Sequence, residues 1–132
     1  MSTFRQRYLT DSVGTASPGR LLVMLYDRLC LDLERGAAAQ REQRREDAST
    51  ALIHAQDILL ELRGTLRVDE WDGAKQLADL YSFLITELMR ANTRQDTDAV
   101  TGCLRVAEQL RDTWREVVEA QQPTAMVGGA TA

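Results

Sequence analysis

Apolar positions recur every three or four residues through four long stretches of the chain, and charged or small residues separate the stretches. That is the period of a helix burying one face, and no strand-like alternation competes with it. Start and stop signals bound each stretch. Ser17 and Pro18 open the first, as N-cap and first helical residue. It runs to about Ala39 and ends in the charged run "REQRRED" at 41–47. The second runs from about Arg45 to Leu66, with "RGTL" fraying its end. Asp69 or Asp72 caps the third, which continues to Asn92, and Asp96 caps the fourth, which stops before Pro123. Gly36 lies inside the first stretch and points to an early end there. Residues 1–14 read as a short mobile N-terminal segment and 121–132 as a disordered tail. Four helices of about 30 Å with short connections predict an all-α, antiparallel up-down four-helix bundle in one domain, 1–120.

A bundle helix needs only a stripe, yet three of these helices carry more. In the first, Leu22, Leu25, Tyr26, Leu29, Cys30 and Leu33 make a core stripe, with Val23 at its edge. Leu21, Met24 and Leu31 fall outside it. In the second, Ala48, Ala51, Leu52, Ala55, Ile58, Leu59, Leu62 and Leu66 align, and Ile53 and Leu60 stand on the far side. In the third, Leu77, Leu80, Tyr81, Leu84, Leu88 and Ala91 align, while Phe83 projects elsewhere. The fourth presents one wide face: Cys103, Val106, Ala107, Leu110, Trp114 and Val117. Single exposed apolar residues are ordinary. As a set, with a methionine among them, they predict an apolar groove for a partner helix.

Composition narrows the function by exclusion. The chain has 132 residues and a net charge of −4, so no basic face for nucleic acid is expected. Its longest apolar run, 21–26, is too short to cross a bilayer, and the first residues lack the apolar region of a secretory signal. A cytoplasmic protein without direct membrane insertion is expected. Cys30 and Cys103 stand far apart on apolar faces and read as buried free thiols. His54 is the only histidine, and Ala51 stands three residues before it, so a di-iron Glu-x-x-His pair fails. His54 reads as a solvated surface residue. Phosphate-loop and nucleophile motifs are missing too. No catalysis, metal or cofactor is expected.

Four blocks then carry a resemblance: "TASPGRLLVMLYD" at 15–27, "AQDILLELRGTL" at 55–66, "LYSFLITELMRAN" at 80–92 and "EQLRDTWREV" at 108–117. In this order, preceded by Tyr8, they resemble the flagellar secretion chaperone family FliS over residues 8 to about 118. The resemblance implies a non-enzymatic bundle that binds the disordered C-terminal region of flagellin in apolar grooves. It implies that the chaperone prevents premature polymerisation and aids delivery to the flagellar type III export gate. It also implies that Tyr8 belongs to a segment that covers part of this surface or contacts partners. Gly19 stands where an acidic residue is usual, and Leu60 where a polar one is. The partner-binding residues expected are Tyr8, Leu21, Met24, Leu31, Ile53, Leu60 and Phe83, on a monomer or homodimer. A generic helical adaptor or regulator with the same bundle is the competing class.

Overall fold

The computed structural model describes residues 17–67, 69 and 71–121. The expectations placed on 1–14, Tyr8 included, and on the tail beyond Gln121 lie outside the described residues. Four helices account for the fold: α1 (Pro18–Arg41), α2 (Arg45–Thr65), α3 (Ala74–Arg94) and α4 (Thr97–Ala120). No strand occurs among the described residues. The caps work as side-chain chemistry dictates. Ser17 Oγ accepts from the Arg20 amide at 3.1 Å, and Asp96 Oδ1 from the Ala99 amide at 3.1 Å. That second bond holds the Asp96 carboxyl below its ordinary range. The connections at 42–44 and 95–96 each contain one glutamine in the left-handed region, Gln43 (φ 58°) and Gln95 (φ 54°). Each reverses the chain where glycine is the commoner choice.

Two boundaries differ from expectation. α3 starts at Ala74 behind Gly73, with no side-chain cap from Asp69 or Asp72. The reason is Trp71, whose ring meets Trp114 of α4 edge to face at 6.4 Å. Its carbonyl accepts from the Ala74 amide at 3.1 Å, which closes a turn before the helix can begin. A Cβ at position 73 would stand 2.5 Å from the Trp71 ring, so this turn needs glycine. Nor does Gly36 end α1. It is buried in mid-helix, where a Cβ would come within 2.5 Å of Leu52 Cδ2 on α2. The missing side chain lets two helices approach.

The helices form a closed ring in which α1 packs on α2 and α4, and α3 on α2 and α4. Cross-contacts run in opposite order along each pair, so the topology is up-down-up-down. Asp32 meets His54 while Gly36 meets Leu52, and Asn92 meets Ser49 while Ser82 meets Arg63. Trp71 meets Trp114 while Arg90 meets Asp96, and Gly19 meets Val118 while Asp27 meets Arg115. The core is Leu, Ile and Ala from all four helices. Cys30 and Cys103 are free and buried within it, and burial pushes each thiol up to about 11. Three fully buried residues of α4, Val100, Cys103 and Ala107, lie in its first half. Val117, expected on the core face, is 37% exposed because the α3–α4 seam is the thinnest of the four.

Polar groups inside the bundle are all satisfied among the described residues. Gln40 of α1 donates to the Ala91 carbonyl at 3.1 Å and accepts from Thr97 at 2.8 Å, which pins the α3–α4 turn. At the centre, the hydroxyls of Tyr26 (α1) and Tyr81 (α3) hydrogen-bond to each other across the ring diagonal. Burial pushes the Tyr26 hydroxyl up to about 12, against a smaller opposing pull from Tyr81 and Trp114. Burial also raises Tyr81, and both phenols stay neutral.

Two stability outcomes follow from this packing. Gly36→Ala should lower the urea midpoint, because crowding Leu52 costs about 1–3 kcal/mol while helix propensity returns only about 1 kcal/mol. A raised midpoint would refute the close-approach reading. Tyr81→Phe should cost about 1–3 kcal/mol by removing the Tyr81 hydroxyl from the buried Tyr26 hydroxyl and leaving only Trp114 beside it, and the double change Tyr26→Phe/Tyr81→Phe should recover most of it. Additive losses in that cycle would show that the two hydroxyls do not act as a pair.

Candidate partner-binding surface

The residues expected to bind a partner do not share one groove. Among the six described, Leu21, Met24 and Leu31 are half-buried on α1, whereas Ile53 (50%), Leu60 (44%) and Phe83 (59%) are exposed. Their positions around the ring follow from the 100° step per residue and from the cross-contacts. Asp32 and Gly36 mark the flank of α1 that faces α2. Leu21, Met24 and Leu31 lie on the outer side of that flank. On α2, Ser49 and Arg63 mark the opposite flank, toward α3, through bonds of 3.2 Å to Asn92 and 2.9 Å to Ser82. Ile53 and Leu60 lie beside those two residues. Phe83 sits on the other side of α3, at the seam with α4 and level with Gly102, as the Arg90–Asp96 and Trp71–Trp114 contacts require. Three successive seams therefore carry the surplus apolar side chains.

The second seam holds more than the sequence singled out. Ile85 and Met89 occupy the flank of α3 that faces α2, across from Leu60 and Ile53. Met89 is 56% exposed, and Ile85 packs partly against the core. Their i, i+4 spacing off the core stripe is a signal that could have found them. Around the third seam, Leu80, Val106 and Leu110 pack only partly against the core, so Phe83 stands at the edge of an apolar strip. A Cβ at Gly102 would meet nothing within 4 Å, which leaves open space at the same level.

The fourth seam, between α4 and α1, is different. There Asp27 pairs with Arg115 at 3.1 Å and Arg111 at 3.8 Å, and both arginines also reach Asp112. An ion-pair ladder dominates that side, with Val23 and Val118 lining a small cleft between Arg20, Arg115 and Glu119.

His54 is not the solvated residue expected. Its side chain is 34% exposed and its Nδ1 contacts Asp32 Oδ2, a carboxylate buried in the α1–α2 seam that Arg28 also holds at 3.2 Å. Nothing in the local sequence reveals this pair, whose members lie 22 residues apart. No group of three or more His, Cys, Asp or Glu side chains among the described residues could hold a metal ion. No helix among the described residues is long and apolar enough to cross a membrane. What the arrangement offers chemically is apolar side chains on three faces.

Comparison with known proteins identifies the family and the fold. Residues 1–121 match the family model described as "Flagellar protein FliS". A Bacillus subtilis protein named flagellar secretion chaperone FliS is 28% identical over 115 residues, 87% of this chain and 86% of that protein. The Escherichia coli protein of the same name is also 28% identical over 115 residues, 86% of this chain and 85% of that one. A crystal structure of a bacterial flagellar chaperone superposes with a TM-score of 0.73 at 18% identity, covering 89% of this chain and 97% of that one, and so shares the fold. The chain belongs to the FliS family of flagellar secretion chaperones.

Proposed function

We propose that this chain binds the disordered C-terminal region of flagellin in the cytoplasm, keeps it from polymerising early and aids its delivery to the flagellar type III export gate. The observation that carries the proposal is the distribution of apolar side chains. Leu21, Met24 and Leu31 occupy the first seam, Ile53, Leu60, Ile85 and Met89 the second, and Phe83 the third, while the fourth is closed by ion pairs. A rigid partner would need its contacts on one face. A disordered chain that folds on contact can cover three in succession. Ordering it consumes part of the contact energy, so a large interface still releases its cargo. Membership in the FliS family supports this reading, as do the chaperone names of the relatives. Nothing in the described structure asks for catalysis, and the family is one of chaperones.

The proposal is tested by calorimetry with a peptide spanning the flagellin C-terminal region. Met24→Asp and Ile53→Asp should each weaken binding by about tenfold or more, because each removes an apolar contact worth about 1.5–3 kcal/mol and introduces a charge. Binding should carry a negative heat-capacity change. Both variants should keep their helical circular dichroism, since neither side chain is part of the closed core. Undiminished affinity in both would remove these two seams from the interface. Equal capture of full-length flagellin and flagellin lacking its C-terminal region would reject the chaperone assignment itself.

A further inference from the structure

The first seam holds a feature that the apolar account leaves unused. Beyond Met24 and Leu31, toward the 42–44 turn, α1 and α2 part to form a cleft of about 410 Å³. It is lined by Ala38, Ala39, Ala51 and Thr50 and by charged groups of both signs: Arg28, Arg35 and Arg44, with His54, and Asp32 and Asp47. Most of this charge is already matched inside the protein. Asp32 is buried between Arg28 and His54. Arg44 is held by Glu42 at 2.7 Å and Asp47 at 2.6 Å. Arg35 is the exception: it lines the cleft, is exposed, and makes no hydrogen bond or ion pair with any described residue. With the other two arginines matched by carboxylates, Arg35 is the surplus positive charge of the cleft, beside its alanine methyl groups.

We infer that this cleft takes an acidic side chain, Asp or Glu, from a partner helix lying along the first seam, with Arg35 as its counter-ion. The inference rests on the chaperone reading for the identity of the partner and adds an electrostatic register mark to it. The spacing suits such a helix. Leu31 lies one turn before Arg35 and three residues after Arg28, so an apolar residue seated on Leu31 puts the next turn of the partner at the cleft. The alanine methyl groups accept the methylenes of a glutamate, and the planar guanidinium of Arg35 can bind its carboxylate through two N–H donors. Arg28 and Arg44 cannot follow the ligand without giving up Asp32 or Asp47, so the discrimination falls on Arg35. Without an acid there, a partner helix would slide along an apolar strip that has no other fixed point.

Two measurements on the full chain test this. In calorimetry with the flagellin C-terminal peptide, Arg35→Gln should weaken binding about three- to fivefold and flatten its salt dependence, and Arg35→Glu should do more. Replacing the partner's acidic residues one at a time by Gln should reproduce the loss at one position, with no further loss when combined with Arg35→Gln. In an amide NMR titration, N-acetylglutamate should shift Ala39 and Ala51 while N-acetylglutamine at the same concentration should not. Equal affinity and equal salt dependence for Arg35→Gln would overturn the cleft and leave the chaperone reading standing. If the wild-type chain fails to bind the peptide, the chaperone reading falls instead. The titration then decides the cleft: identical shifts with acid and amide overturn it, and acid-specific shifts uphold it. Circular dichroism checks that the exposed Arg35 substitutions leave the bundle folded.

Discussion

Two phenol hydroxyls at the centre of the bundle set much of what its surface can do. Tyr26 and Tyr81 belong to diagonal helices, which touch less than neighbours in the ring do. Burying a hydroxyl with no partner costs about 1–3 kcal/mol, and here each hydroxyl partners the other, with Trp114 also beside Tyr26. Hydrogen bonding is directional where apolar packing is not, and a shift of one helix past the other by a single turn, about 5.4 Å, would break this bond. A core built only from Leu and Ala could settle at several heights with little penalty. The tyrosine pair removes that freedom between α1 and α3, and the contacts of Gln40 with Ala91 and Thr97 repeat the restraint near the 95–96 turn. With heights fixed, the side chains that each seam turns to solvent are fixed too.

The surface so defined is graded around the ring. The first seam holds half-buried Leu21, Met24 and Leu31, the next two expose aliphatic, methionine or phenylalanine side chains, and the fourth carries a ladder of Asp27, Arg111, Asp112 and Arg115. Such ion pairs contribute little to stability, since exposed pairs are worth about 0–1 kcal/mol. Their effect is to make one side unattractive to an apolar chain. A partner that wraps this bundle therefore meets a boundary as well as a path. The thin α3–α4 seam lies within the apolar part, where the second half of α4 contributes no fully buried residue. This is the region of the ring with the least to lose by yielding locally to a partner.

Much of the fold was legible in the sequence because its causes are local. The 3.6-residue period located all four helices, and Ser17 and Asp96 cap two of them as read. Where the cause lay across the bundle, local reading failed. The start of α3 depends on Trp71 reaching Trp114, 43 positions on in the chain. Gly36 reads as a helix breaker unless one knows that Leu52 fills the space beside it. The surplus residues were recognisable one helix at a time, as side chains off a stripe. Their division among three seams was not, because it depends on which flank of each helix meets which neighbour. Met89 and Ile85 carried a local signal in their i, i+4 spacing, but that they face Ile53 and Leu60 depends on the neighbouring helix. The Arg35 cleft was hidden likewise, since it exists only where α1 and α2 part.

The up-down order also gives the molecule two unlike poles. The tight glutamine turns at 42–44 and 95–96 sit together at one pole. The Trp71 connection, the start of α1 and the end of α4 sit at the other, where Gly19 lies against Val118. The start of α1 and the end of α4 therefore share the tryptophan pole, while the arginine cleft opens toward the opposite one. The same geometry makes it a natural candidate for circular permutation, with a linker across Gly19 and Val118 and new ends cut at Gln43 or Gln95.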